Sequence, residues 1–316
     1  MNETRAVDVL DPQMRRVFDK LVELGRGQPN RWSVPIETAR QMMLDGCGPW
    51  LTDSPALHAI ENRAVDGPFR PVPIRIYRPT VAARAALLYF HGGGWALGSP
   101  DTHDEVMRRL ALASGHVVVG VDYAKAPEWK FPKPVDESIA VIATIARQAD
   151  ALGIDARRLT FGGDSAGANI VVAAAQAHKS LSPGLLKAGV LFYGVYDTDL
   201  DTASYFQLGD GRFGLTRDDM DRYIALYVEN NDQRRDPRLA VVNSDLRGLP
   251  PLGIYAAGAD PLLDDSTRFA AALALAKVPY ESVVYDGLCH GFLRYAADID
   301  RAQQAIDRAA AFLRAH

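Results

Sequence analysis

The chain has 316 residues, 48% of them hydrophobic and 23% charged, and its 35 basic and 39 acidic side chains leave a formal net charge of −4. That balance excludes a disordered or fibrous protein and allows a sizeable core, in one α/β unit or in roughly two units of about 150 residues. The basic pairs Arg15-Arg16, Arg108-Arg109 and Arg234-Arg235 are scattered, which speaks against nucleic acid and against an anionic membrane surface as partners. No apolar run approaches the ~18 residues of a membrane span. The N-terminus carries acids where a secretory leader has its apolar stretch, and Cys47 and Cys289 are too few for a disulfide framework. A cytoplasmic protein with two reduced thiols is expected, with a single bridge between them left open.

Along the first sixty residues the pattern is helical. Met14, Val17, Phe18, Leu21 and Leu24 recur at helical spacing over 11–24, before Gly25, Gly27 and Pro29 end the run. A second helix is predicted from Ser33 as N-cap with Pro35 in its first turn, and 45–49, Asp-Gly-Cys-Gly-Pro, reads as loop. From about residue 58 short β-rich runs take over. The pair 59–65 and 72–77 flanks Asp66-Gly67-Pro68 as two antiparallel strands would. Further strands are predicted at 86–90, 117–122, 159–161, 189–193, 252–257 and 281–285, mostly continuous apolar runs of the kind covered on both faces. Helical stretches at 106–113, 134–149, 166–178, 266–276 and 301–313 separate them. This alternation predicts an α/β fold, a mostly parallel eight-stranded sheet with helices on both faces. The connection from 193 to 252 is too long for a crossover, and is rich in aromatics and in a helix that Thr216 can cap with Asp219 three residues on. It is expected to join the N-terminal helices in a cap over the strand ends.

The strongest chemical signal is Gly163-Asp164-Ser165-Ala166-Gly167. A Gly-rich turn with an incidental serine would show the same five letters. The buried strand before it and the Ala-rich helix after it are what a nucleophile elbow requires, since a sharp strand-to-helix turn lifts the hydroxyl clear of the backbone. The helix N-terminus adds N–H groups that favour developing negative charge. Upstream, His91-Gly92-Gly93-Gly94-Trp95 follows a buried strand that three glycines would continue poorly. Such a loop exposes backbone N–H groups that can hold an oxyanion. A serine hydroxyl needs a base. Of the seven histidines, His290 alone combines a loop after the last strand, flanking glycines and a place after the serine. The acid that orients it should lie between the two. Asp260, just past the strand 252–257, is favoured, with Asp264 and Asp265 as alternatives at the start of the next helix, where acids commonly serve the helix dipole.

Taken together, His91-Gly-Gly-Gly-Trp95, Gly163-Asp-Ser-Ala-Gly167, Asp260-Pro-Leu262 and His290-Gly-Phe292 resemble the hormone-sensitive-lipase-like group of α/β-hydrolases. Asp101-Thr-His103-Asp, Tyr193-Gly-Val-Tyr and the extension of the Asp260 motif to Asp265 make the chain look most similar to the bacterial acetyl esterases in that group. The resemblance runs from about residue 58 to the C-terminus, below a helical cap formed by 1–57 and an insertion at 195–245. It implies a serine carboxylesterase for short acyl chains, acetyl to butyryl, with Ser165 as nucleophile, His290 as acid and base, Asp260 as its orienter, and an oxyanion hole from Gly93, Gly94 and Ala166. Trp95, Asp164 and Tyr193 are expected to bind substrate. No metal or cofactor is called for. Amide or lactone hydrolysis on the same residues is the first alternative, and a ligand-binding receptor, which typically lacks the histidine, is the second. The resemblance leaves a monomer or a homodimer through the last strand, where only Glu281 is charged. One departure is Tyr123-Ala-Lys-Ala-Pro-Glu128, where many members have Arg and Leu at the second and third places.

Overall fold

The computed structural model describes residues 9–52 and 54–316. Residues 1–8, on which the reading of the N-terminus rests, and Asp53 lie outside the described residues. All eight predicted runs are strands: β1 (Ala59–Asp66), β2 (Pro71–Arg78), β3 (Ala86–Phe90), β4 (Val117–Val121), β5 (Leu159–Asp164), β6 (Leu186–Phe192), β7 (Leu252–Ala259) and β8 (Tyr280–Cys289). They form one sheet in the order β1-β2-β4-β3-β5-β6-β7-β8. β2 runs antiparallel to β1 and β4, and the strands from β4 across to β8 are parallel.

Nine helices occur among the described residues: α1 (Pro12–Gly25), α2 (Ile36–Leu51), α3 (Asp104–Ser114), α4 (Lys133–Arg147), α5 (Ala166–Leu181), α6 (Ala203–Leu208), α7 (Arg217–Tyr227), α8 (Leu263–Leu275) and α9 (Asp300–Ala315). The unbroken apolar strands are explained by two core layers. In β3, Leu88 and Phe90 join Ile142 of α4, Val171 of α5 and Phe269 of α8. Leu87 and Tyr89 join Leu110 of α3, Ile306 of α9 and Met14 of α1 on the other face. Alternate side chains of one strand thus serve opposite faces, and neither face can be polar.

The N-terminal segment departs from its prediction. Ser33 ends a single 3-10 turn, Arg31–Ser33, and α2 begins after Pro35. Residues 45–49 are helical, and α2 runs through Gly46, Gly48 and Pro49 to Leu51. Each glycine costs a helix about 1 kcal/mol; burial of Cys47 and Trp50 offsets that here. The Trp50 indole N–H donates to Asp298 Oδ2 at 2.8 Å, and its ring meets Tyr295 edge-on at 4.8 Å. In the long connection after β6, the capping box at the start of α7 is in place, with Thr216 and Asp219 exchanging hydrogen bonds. Here the two segments meet: Trp32 Nε1 donates to Asp219 Oδ1 at 2.6 Å, and the Trp32 and Tyr223 rings lie 4.7 Å apart. Below them, Arg40 of α2 donates to the carbonyls of Ala96 and Ala126 and pairs with Glu128, on the loops that leave β3 and β4.

Candidate active site

Three loops at the C-terminal ends of parallel strands converge. β5 is buried along its whole length and turns into α5 through Ser165, whose backbone is left-handed at φ +53°. A non-glycine residue in that region carries roughly 1–3 kcal/mol of strain. Here the Ser165 N–H donates to Phe192 O at 2.9 Å and its carbonyl accepts from Val195 and Asn169. Gly167 allows the turn to sit against β3, because a Cβ there would run into the Phe90 carbonyl.

His290 follows β8 and comes to Ser165, with Nε2 at 2.9 Å from the serine Oγ. Its Nδ1 lies 2.7 Å from Asp260 Oδ2. A carboxylate only accepts, so Nδ1 carries the proton and Nε2 is free to accept from the serine hydroxyl. Asp260 is fully buried, and its other oxygen accepts from the Leu262 N–H at 2.9 Å. The alternatives have other partners. Asp264 accepts from the Ser204 N–H, and Asp265 accepts from the Tyr196 and Asp197 N–H groups, holding the start of the insertion. Burial pushes the Asp265 carboxyl up to about 8, although both N–H donors oppose that shift.

The glycine loop lies on the other side of the serine. Gly93 and Gly94 are both left-handed, and among the described residues neither N–H has an acceptor. Ala166 is the first residue of α5, so its N–H has no acceptor within the helix. A Cβ on Gly94 would overlap the Tyr223 ring, so a side chain from the insertion covers this loop.

The three residues expected to bind substrate are all packed into the walls. Trp95 is fully buried, stacked on Tyr227 at 4.9 Å with Nε1 donating to Asn169 Oδ1. Asp164 accepts from Tyr89 Oη and the Gly92 N–H and faces His103 Nε2 at 3.3 Å. Burial alone would raise its carboxyl, but His103 and the Tyr89 hydroxyl outweigh that and hold it at about 2. Tyr193 is left-handed at φ +36° and sets its ring edge against His290 at 4.9 Å. They shape the site from behind. Sequence reasoning missed Asn169 and Tyr223: the first sits one helical turn past the serine, the second was one aromatic among several in the insertion.

The loop at 123–128 is well packed despite its departure. Tyr123 Oη donates to His91 O at 2.7 Å, Ala126 N to Trp95 O, and Lys125 pairs with Asp122. Both cysteines are free and buried. Burial, with the Asp260 charge beside it, pushes the Cys289 thiol up to about 12. Among the described residues no three metal-ligating side chains converge, and no helix is long and apolar enough to cross a membrane.

The family described as alpha/beta hydrolase fold matches residues 87–294. An acetyl esterase of Salmonella agona is 37% identical over 283 residues, 89% of this chain and 87% of its own. A hyperthermophilic esterase from the archaeon Pyrobaculum calidifontis superposes with a TM-score of 0.91 at 31% identity, over 97% of this chain and 98% of its own. An ester hydrolase from the metagenome of Lake Arreo gives a TM-score of 0.91 at 33% identity, over 97% and 99%.

Proposed function

Since the chain belongs to the α/β-hydrolases, in their hormone-sensitive-lipase-like group, we propose that it is a serine carboxylesterase that hydrolyses short-chain esters through an acyl-enzyme. The carrying observation is the unbroken Ser165–His290–Asp260 relay, with hydrogen bonds of 2.9 and 2.7 Å. Ser165 Oγ attacks the ester carbonyl as His290 Nε2 takes its proton, and Asp260 holds the imidazolium that forms. The carbonyl oxygen becomes an oxyanion facing the unpaired N–H groups of Gly93, Gly94 and Ala166. His290 then gives its proton to the leaving alcohol. Water, deprotonated by His290, attacks the acyl-enzyme and releases the acid and Ser165.

The acetyl esterase relatives support a preference for acetyl to butyryl chains, and Tyr223 pressed on the glycine loop supports a narrow site. We take 1–57 and 195–245 as one cap above the catalytic unit 58–316. β8 is one of the two outer strands of the sheet, with Tyr280 and Val284 exposed, so a homodimer along it is the reading beside the monomer. Two free thiols suit a reducing, cytoplasmic setting. The test is hydrolysis of p-nitrophenyl acetate, butyrate, octanoate and laurate beside Ser165→Ala. Rates that fall steeply beyond butyrate and vanish in the variant are the expected result. No turnover of any chain by the folded protein would overturn the esterase reading.

A further inference from the structure

Tyr223 does more than cover Gly94. Its ring also walls a cavity of about 480 Å³ between α7 and the N-terminal segment. The cavity has apolar sides from Val34, Ile36, Leu97 and Leu226, and its charged lining consists of Arg31, Lys130 and Arg222, with no acid. Among the described residues none of these three cations has an ion-pair partner. Arg31 Nη1 donates to Tyr223 Oη at 3.2 Å, Lys130 Nζ donates to the Val228 carbonyl, and Arg222 lies over the Trp32 ring. Asp219 is close enough for Arg31 to feel, but it already accepts from Trp32 and Thr216. A fourth cation, Arg294, stands four residues past His290. It is not part of the cavity lining; its side chain donates to Cys47 Sγ at 3.7 Å, lies over the Tyr295 ring and feels the charge of Asp164, and the Tyr223 hydroxyl feels the charge of both Arg31 and Arg294.

Unpaired guanidinium groups beside an apolar cavity of this size favour an amphiphilic anion, since each fork can take a carboxylate through two charge-assisted hydrogen bonds. We propose that this cavity receives the ionised carboxyl group of a substrate that carries one beyond its ester, with Arg31 and Arg222 as its principal partners. The inference rests on the esterase reading and adds a substrate class to it. The carboxylate can sit on either side of the scissile bond, as a half-ester of a dicarboxylic acid or as an O-acyl hydroxy acid.

Rates of proton release at constant pH separate these cases. Monoethyl glutarate is compared with ethyl pentanoate, and acetoxyacetate with ethyl acetate, so that each pair exchanges a methyl for a carboxylate. One anionic member is expected to exceed its neutral partner in kcat/KM by about tenfold, and the arm that does so identifies the side. Arg31→Met and Arg222→Met, both at exposed positions, should each cut that ratio severalfold, mainly through KM, with Arg31→Lys recovering part of it. Added salt should lower the ratio in the unmodified protein. Neutral esters turned over with no anionic preference would overturn this inference and leave the esterase reading intact; no turnover at all would sink the esterase reading itself. A ratio unchanged in both methionine variants would also overturn the inference. So would modulation of ethyl acetate hydrolysis by added pentanoate that Arg31→Met abolishes, if no half-ester preference accompanies it, because the cavity would then serve a separate acid.

Discussion

The loops at the strand ends and the helices above them are built on different principles. Ser165, Asp260, His290 and the glycine loop are placed mainly by backbone: a left-handed turn, a glycine against the Phe90 carbonyl, and an N–H held by a neighbouring strand. The N-terminal helices and the insertion are placed by long side chains reaching across the chain, Trp50 to Asp298, Trp32 to Asp219 and Arg40 to Glu128. Backbone placement resists small changes and fails sharply. Side-chain anchoring fails gradually, and each anchor can be removed alone. Tyr223 is where the two meet, since an insertion residue closes over the glycine loop.

The largest effect should come from the backbone-placed group. Asp260→Asn keeps the shape but leaves His290 Nδ1 without its carboxylate, and kcat should fall by about 10⁴ with little change in KM; steady-state kinetics on p-nitrophenyl butyrate check this. Gly94→Ala tests the meeting point, because its new Cβ overlaps the Tyr223 ring. A loss of about 10²–10³ in kcat is expected, and Tyr223→Ala in the same chain should restore part of it. If the double variant recovers nothing, the left-handed backbone at 94 matters more than the covering ring.

Most of the first region was legible in the sequence because its requirements are local. Gly-Asp-Ser-Ala-Gly is flanked in sequence by its own strand and helix, and the central strands β3 to β7 carry their apolar runs in consecutive letters. The choice of Asp260 over Asp264 and Asp265 followed from position alone, and the structure gives the other two separate partners. The second region was less legible. The run at 45–49 looks like a loop because two glycines and a proline lower helix propensity, while the burial that rescues it depends on Tyr295 and Asp298, about 250 residues away in sequence. Trp95 and Asp164 depend on distant partners in the same way: Asn169, Tyr89 and His103 occupy their polar atoms, and no neighbouring letter announces those contacts.

Smaller effects sharpen the contrast. Arg40→Met removes one anchor of α2 and should lower the melting temperature by roughly 2–6 °C, with KM rising more than kcat falls. Asp265 offers a pH signature. Folded, it keeps its proton to about pH 8; unfolded, it gives it up at about pH 4. Between those values the folded chain binds more protons, so this group's contribution is largest below pH 4 and declines as pH rises to 8. Melting curves from pH 5 to 8 should therefore be flatter for Asp265→Asn, whose side chain can still accept from Tyr196 and Asp197. The smallest effect is expected at Cys289. With its thiol pushed up to about 12, iodoacetamide at neutral pH should leave activity unchanged despite the neighbouring His290.

The central claim is that Ser165 is the nucleophile, and covalent trapping tests it most directly. The protein is treated with a p-nitrophenyl alkylphosphonate, digested and read by mass spectrometry. One phosphonyl adduct on the peptide containing Ser165, absent in Ser165→Ala and formed far more slowly in His290→Ala, is the predicted result. An adduct on another residue, or ester hydrolysis that survives Ser165→Ala, would contradict the account.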